Sequence, residues 1–331
     1  MHIGLTCDLR SEYLAAGYGE EETAEFDRDD TVEAIEAAVA LCGHVTDRIG
    51  HARNLISRLA AGDRWDLVFN IAEGLNGIGR EAQIPAILDV YDVPYTFSDP
   101  LVMSLTLHKG MTKRVVRDAG IPTPEFAVVE NPTDLEAVHF APPYFIKPVA
   151  EGTGKGITPG SIIRNKQDLA SACAALREAY RQSVLVERFL SGREFTVGVA
   201  GTGARSEVLG TIEVQLLADA EPGVYSYVNK ERCEELVEYR RLRGGEDPAV
   251  AAAESISLQA WRVLGCRDAG RVDIRCDAEG NAYFLEVNPL AGLHPEHSDL
   301  PIICNHVGVS YTSLIQRILT SATERVPSLA N

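Results

Sequence analysis

A lysine at the end of an apolar run, then three glycines in five residues, then a second apolar run: this segment most restricts the fold of the chain. It reads Phe145-Ile146-Lys147-Pro148-Val149-Ala150-Glu151-Gly152-Thr153-Gly154-Lys155-Gly156-Ile157. Glycines so closely spaced let backbone N–H groups converge on an anion, as in a phosphate-cradling nest. Two familiar nucleotide motifs are excluded. The P-loop needs G-x-x-x-x-G-K-[ST], but Val149 occupies its first glycine and Gly156 its Ser/Thr position. The dinucleotide fingerprint needs a helix after the loop, whereas Ile157 to Ile163 reads as a strand. On the segment alone, an ordinary glycine-rich hairpin remains the alternative.

Around this segment the chain alternates strands and helices. A strand is expected from Met1 to Asp8, followed by an acidic loop. A helix should start at Asp30, with Asp30-x-x-Glu33 as a capping box, Val32, Ile35, Val39 and Leu41 as its buried stripe, and Gly43 as its end. A strand over Trp65–Ile71, a helix over 79–91 and a short strand Val93-Pro94-Tyr95-Thr96 continue the alternation, which predicts a doubly wound parallel sheet. Helical pattern resumes at 103 and runs to Gly120. Beyond the Ile121-Pro122-Thr123-Pro124 punctuation, strands are expected at 125–129, 144–149, 157–163 and 183–188, with one helix over 166–181. Further strands follow at 193–200, 206–216, 270–276 and 282–288, together with a long helix capped by Asp247-Pro248 and a helical end. The expectation is an α/β protein of three consecutive lobes: 1–102, 103–189 and 190–331.

Composition narrows the function classes. The chain has 331 residues, enough for several packed cores. Its 48 Asp and Glu against 31 Lys and Arg give a net charge of −17, which repels nucleic-acid backbones and anionic lipid. No apolar run is long enough to span a bilayer, and Met1-His2-Ile3-Gly4 lacks the basic start of a signal peptide. Seven cysteines without a C-x-x-C pair fit reduced thiols. A cytoplasmic protein with small-molecule substrates, acting on neither nucleic acid nor membrane, is expected.

A second cluster carries chemistry. Arg271-Val272-Asp273 and Glu286-Val287-Asn288 each have a spacing of two, so on strands both members of each pair face one side. Asp277-Ala278-Glu279-Gly280 between them reads as a hairpin turn that brings Asp273 opposite Glu286. Two carboxylates and a carboxamide are hard oxygen ligands suited to Mg²⁺, and Arg271 could neutralise charge on a phosphate or an oxyanion. A solvated polar strand face is the alternative. Glu187, closing the apolar run Val184-Leu185-Val186, reads as a strand-end surface acid or a ribose contact. Lys109 reads as a solvent-facing charge on a helix starting near Thr106.

Taken in order, these pieces resemble the ATP-grasp ligases, and among them the D-alanine–D-alanine ligases. Lys109, Lys147-Pro148 with its loop, Val184 to Glu187, Gly192-Arg193-Glu194-Phe195-Thr196-Val197, Arg271-x-Asp273 and Glu286-x-Asn288 carry the likeness over roughly residues 65–310. The resemblance implies an ATP-dependent carboxylate–amine ligase acting through an acyl phosphate, in the cytoplasm, as a homodimer, with a place in cell-wall biogenesis. It implies that Lys109 and Lys147 hold ATP phosphates under a lid of Glu151, Gly152, Thr153, Gly154 and Gly156. Glu187 would meet the ribose, Arg188, Phe189 and Leu190 the adenine, and Glu194 and Lys230 the nucleotide. Asp273, Glu286 and Asn288 would bind two Mg²⁺ ions, or Mn²⁺. Arg271 and the Gly292 N–H would stabilise the tetrahedral intermediate, with Thr153, where the family usually has Ser, counted beside them.

Departures concentrate where the amino acids should bind. The Ser-x-Glu segment after the first strand is replaced by Cys7-Asp8-Leu9-Arg10-Ser11-Glu12-Tyr13 and an acidic insertion, leaving Glu12 as the stand-in for the amine-binding Glu. A Lys-Tyr pair appears as Lys230-Glu231, and the Gly-Glu-Asp-Gly pattern as Glu73-Gly74-Leu75-Asn76-Gly77-Ile78-Gly79-Arg80. Leu293-His294-Pro295-Glu296-His297-Ser298 is more polar than the family's loop. Lys230, His294, His297 and Ser298 are candidates for substrate contact, with metal ligation and plain loop structure as the alternatives for the two histidines. The chemistry should be kept and a substrate changed. A ligase for another amino-acid pair or conjugate and a nucleotide-binding module with little turnover are the competing readings.

Overall fold

The structure is a computed structural model that describes residues 1–242, 245 and 247–326. Three sheets follow one another along the chain. The first is parallel, in the order β2-β1-β3, from β1 (His2–Thr6), β2 (Val45–Gly50) and β3 (Leu67–Asn70). Helices α1 (Arg10–Ala15), α2 (Asp29–Leu41), α3 (Ala52–Ala61) and α4 (Gln83–Val90) are interleaved with it. Of these, β2, α1 and α3 lie in stretches whose polar residues hide the apolar period.

Helices α5 (Pro100–Leu107) and α6 (Lys109–Asp118) lead into the second sheet. It is antiparallel, in the order β4-β7-β5-β6, from β4 (Phe126–Val129), β5 (Tyr144–Pro148), β6 (Ile162–Ile163) and β7 (Val184–Arg188), with α7 (Lys166–Tyr180) packed on it. The third is a five-stranded antiparallel sheet, β10-β9-β8-β11-β12. Its strands are β8 (Glu194–Ala200), β9 (Glu207–Leu216), β10 (Val237–Leu242), β11 (Ala269–Cys276) and β12 (Ala282–Asn288). Short helices α8 (Tyr227–Glu231) and α9 (Cys233–Leu236) precede β10, and α10 (Pro248–Leu264) covers the sheet. Helices α11 (Asp299–Val307) and α12 (Tyr311–Thr323) close the chain. Leu314, Ile315, Ile318 and Leu319 of α12 share one core with Ile3 and Leu5 of β1 and Val32, Ile35 and Val39 of α2. Among the described residues no helix is long and apolar enough to cross a membrane.

Where local chemistry is strong, expectation and structure coincide. Asp247 accepts from the Ala249 N–H at the start of α10, with Pro248 in the first turn. Gly280, at φ +88°, turns the β11–β12 hairpin and sets Asp273 opposite Glu286.

Five expectations need correction. Helix α2 begins with no side-chain cap, so Asp30-x-x-Glu33 forms no capping box. Leu41 is 75% exposed because it lies about 200° around the helix from Val39. Residues 157–161 are not strand: Pro159 offers no N–H, Thr158 accepts from Gly160, and only Ile162–Ile163 pairs with β5. Val93–Thr96 makes a single bridge, Tyr95 to Val68, rather than a strand. The helix expected over 103–120 breaks at His108, whose ring accepts from the Met111 N–H, so Lys109 opens α6 rather than sitting inside a helix.

Candidate active site

The buried charges of the second and third sheets meet in one chain of ion pairs. Glu187, at the end of β7, is 2% exposed and not a surface acid. Lys113 on α6 reaches it at 2.6 Å and Lys147 on β5 at 3.4 Å. Lys147 also reaches Glu286 on β12 at 3.0 Å, with Lys109 at 3.9 Å. Lys109 is buried rather than solvent-facing, and its ammonium donates to the Glu151 carbonyl. Burial pushes Lys113 down to about 8 against the pull of Glu187. Burial would raise the Glu286 carboxyl, but Lys147 and Lys109 outweigh it and hold it well below the usual range. The same two lysine contacts that hold Glu187 low, Lys113 and Lys147, also outweigh its burial.

On the β11–β12 face, Arg271 pairs with Asp273 and stands 3.5 Å from Asp299 at the start of α11. Asp273 also accepts from Thr196 on β8. Among the described residues, Glu286 Oε1 and the Asn288 carboxamide take no hydrogen bond, and both face the ion-pair cluster from neighbouring positions of one strand. Glu286 Oε1 and the Asn288 carboxamide offer free oxygens to a hard divalent cation, while both Asp273 oxygens are engaged, one by Thr196 and one by Arg271. Among the described residues there is no cluster of three or more His, Cys, Asp or Glu arranged for a metal.

Beside these charges lies a slot lined by Phe145, Ile157, Phe189, Leu190 and Leu285, with Lys147, Glu187, Glu194 and Lys230 at its polar end. The rings of Phe145 and Phe189 lie 6.4 Å apart, Arg275 covers Phe189 and pairs with Glu194 at 3.1 Å, and Arg188 covers Tyr283. A flat apolar slot ending in acids and lysines suits a base with a sugar and phosphates.

The glycine loop lies against the segment that opens α8, and Gly152 and Thr153 border the neighbouring larger cavity. Thr153 stands at φ +52° and Gly154 at +74°, and a Cβ on Gly154 would meet the Ser226–Tyr227 backbone. The loop is tied down by residues that sequence reasoning missed. Glu25, from the acidic insertion, accepts from the Gly152 N–H and pairs with Arg80 at 2.8 Å and Lys155 at 3.4 Å. Gln182 donates to Glu151 at 2.6 Å. Of these, only Lys155 could be suspected beforehand, from its place among the glycines. Glu25 and Lys113 carry no local signal.

A second, larger cavity joins this site on the side of Arg271, Asn288, Gly292 and Thr153. Lys230 borders both. Glycine at 292 is required by a close approach, since a Cβ there would lie 2.7 Å from Ser298 Oγ. Ser298 Oγ accepts from the His294 N–H. His294 Nδ1 accepts from the Glu296 and His297 N–H groups while its Nε2 faces Asp30 at 3.4 Å, and His297 lies 3.1 Å from Glu234. The two histidines organise their own loop and form no metal set. Glu12 is exposed on α1 and borders a different cleft, with Tyr13, His51 and Asn76, so it does not stand in for the amine-binding Glu. The acids that reach the cavity from the first domain are Glu25, Asp27, Glu73 and Glu81, and Glu231 and Asp299 line it from the third.

Comparison with known proteins agrees with this geometry. The family model described as D-ala D-ala ligase C-terminus matches residues 115–320. A D-alanine–D-alanine ligase of Bordetella petrii is 33% identical over 280 residues, covering 84% of this chain and 82% of its own. A protein of Sinorhizobium fredii, named uncharacterized protein y4sG, is 31% identical over 311 residues, covering 88% and 87%. Among solved structures, a D-alanine–D-alanine ligase from Bacillus anthracis complexed with ATP matches with a TM-score of 0.73 at 19% identity, over 100% of both chains. The VanG D-Ala:D-Ser ligase from Enterococcus faecalis matches with a TM-score of 0.73 at 19% identity, over 97% and 99%. The chain thus has the ATP-grasp fold and belongs to the D-alanine–D-alanine ligase family of ATP-dependent, peptide-forming carboxylate–amine ligases.

Proposed function

We propose that this ligase joins two amino acids, at least one of which differs from D-alanine, with Mg²⁺ as the metal and the roles below for its site residues. One observation carries the reading: Lys147, on the strand entering the glycine loop, reaches Glu286, directly opposite Asp273 on the neighbouring sheet. Phosphate-binding and metal-binding groups from two separate sheets therefore meet at one place.

In the first step a substrate carboxylate oxygen attacks the γ-phosphorus of ATP and ADP leaves, giving an acyl phosphate. Lys109 and Lys147 offset the charge on the transferring phosphoryl group. Mg²⁺ held by Asp273, Glu286 and Asn288 would neutralise phosphate oxygens and fix their geometry. In the second step the amine nitrogen of the acceptor attacks the acyl carbon, a proton is lost from nitrogen, and inorganic phosphate leaves. Arg271 and the Gly292 N–H hold the oxygen that becomes negative in the tetrahedral intermediate. Glu151, Gly152, Thr153, Gly154 and Gly156 form the lid that excludes water from the acyl phosphate. Phe145, Phe189 and Leu190 sandwich the adenine beside Arg188, Glu187 meets the ribose, and Glu194 and Lys230 border the nucleotide. Ser298, on the lining of the larger cavity, would contact the acceptor's carboxylate. A homodimer in the cytoplasm completes the reading.

A phosphate-release screen over amino-acid pairs, with mass spectrometry of the product, tests it. Turnover with an ATP-dependent conjugate is expected, and Glu286→Gln should reduce the rate by a factor on the order of 10²–10³ without unfolding the chain. Absence of phosphate release and conjugate with every pair would leave a nucleotide-binding module instead.

A further inference from the structure

The wall of the larger cavity facing Arg271 comes from the first sheet and carries carboxylates without partners. Glu25 is accounted for by Arg80, Lys155 and the Gly152 N–H. Asp27, ahead of α2, Glu73, just after β3, and Glu81, in the turn ahead of α4, also line the cavity. Among the described residues, none of these three side chains accepts a hydrogen bond or has a cationic group within ion-pair distance. Glu81 is 8% exposed, so an unpaired carboxylate there is nine-tenths removed from water yet borders the cavity. Lys230 borders the same cavity but stands outside ion-pair distance of these three carboxylates, and the other nearby cations are committed elsewhere. Arg80 donates to the Ala150 carbonyl and pairs with Glu25. Arg28 pairs with Asp30 at 2.6 Å, and Arg10 lies 3.9 Å from both Glu20 and Glu231.

Burying carboxylates without a partner is costly, and proteins normally match such groups with cations. The cost shows in their acidities. Burial, with repulsion from Asp8, pushes Asp27 up to about 8. Burial pushes Glu81 up to about 7 even against Arg80. Burial and repulsion from Glu81 and Glu25 raise Glu73 well above the usual carboxylate range. An amino acid brings one α-ammonium, which one or two carboxylates satisfy. Three clustered carboxylates, opposite the groups that would handle the reacting carbonyl, call for more positive charge than that.

We propose that the amino acid bound against this wall carries a second cationic group, an amine or guanidinium on its side chain, held by Asp27, Glu73 and Glu81. The proposal rests on the ligase reading and specifies its substrate class. Hydrogen bonds from a cation to these carboxylates would form only with a basic substrate, and each is typically worth a factor of about ten or more in binding.

The test compares amino acids matched in length and differing in charge: lysine with norleucine, ornithine with norvaline, each in both chiralities, with alanine included. Phosphate release is measured at saturating ATP and Mg²⁺, and the product is checked by mass spectrometry. The basic member of each pair should exceed its neutral counterpart by about tenfold or more in kcat/KM for the matching chirality. Glu73→Gln and, separately, Glu81→Gln should bring that ratio toward one. Each variant's rate with the neutral partner serves as its own control for folding. Turnover of neutral amino acids with no preference for basic ones overturns the inference and leaves the ligase reading standing. A preference that both variants retain overturns the assignment to this wall. No phosphate release with any amino acid removes the ligase reading, and this inference with it.

Discussion

The apolar slot and the larger cavity of this protein both bury charge, but they balance it differently. Around the slot, Lys113, Glu187, Lys147 and Glu286 form an alternating chain in which every member touches an opposite charge. On one wall of the cavity, Asp27, Glu73 and Glu81 have no cationic partner among the described residues. A self-neutralised cluster is rigid and ready before a ligand arrives. An unbalanced one is strained until something of opposite sign enters. The difference runs with the resemblance read from the sequence: Lys147, Glu187 and Glu286 belong to the motifs that carry it, whereas Glu73 lies in a segment that departs from it.

Four substitutions sharpen or break this contrast. Lys113→Met should be the most harmful, because it strands Glu187 with only the more distant Lys147. Breaking a buried pair of this kind costs about 3–5 kcal/mol, read by chemical denaturation. A stable Lys113→Met variant would end the claim that the slot's charges are interdependent. Arg271→Lys comes next. It keeps a positive charge beside Asp273 but loses the planar fork, and kcat should fall by about 10²–10³ (~3 kcal/mol) while ATP affinity by calorimetry changes little. A loss of affinity at unchanged kcat would make Arg271 purely a partner for Asp273 and Asp299.

On the unbalanced side the sign reverses. Glu81 holds its proton up to about pH 7 when folded, against an ordinary value of 4.5. The folded chain therefore binds that proton more tightly, and the stability it contributes is lost as pH rises from about 4.5 to 7. Glu81→Gln should flatten that slope and stabilise the protein by about 1–3 kcal/mol above pH 7, with no gain at pH 4. Denaturant titrations across this range check it, and a destabilised variant at pH 8 would show that Glu81 has a partner. Glu25→Asp should be mildest. It keeps the charge beside Arg80 and Lys155 but draws back from the Gly152 N–H, weakening that tie by about 1 kcal/mol, so that amide should exchange several-fold faster and the ATP consumed per peptide should rise above one. A peptide yield unaffected by faster exchange would separate the tie from water exclusion.

What could be read beforehand was local. The Asp247-Pro248 start of α10, the Asp277–Gly280 turn and the facing of Asp273 and Glu286 follow from chemistry within a few residues, whereas the slot's residues stand out only through the family resemblance. What escaped depends on distant partners. Lys109 reads as a surface charge until the loop carbonyl of Glu151 is brought to it. Lys113 shows its role only when β7 delivers Glu187. Glu12 has the right residue type in the right stretch, yet the acidic insertion folds so that Glu25 and Asp27 reach the cavity instead. Residues 157–161 have strand composition, but Pro159 and the Thr158 hydroxyl turn them.

The shared packing of α12 with β1 and α2 bears on how the chain is made. Residues Ile3, Leu5, Val32, Ile35 and Val39 are fully covered only once Leu314, Ile315, Ile318 and Leu319 are in place. At about 5–20 residues per second, a ribosome needs roughly 10–45 s to pass from the first sheet to that helix. Throughout that interval the opening sheet has an uncovered apolar flank, so the start of this protein must wait for its end and is exposed to chaperones and proteases in the meantime.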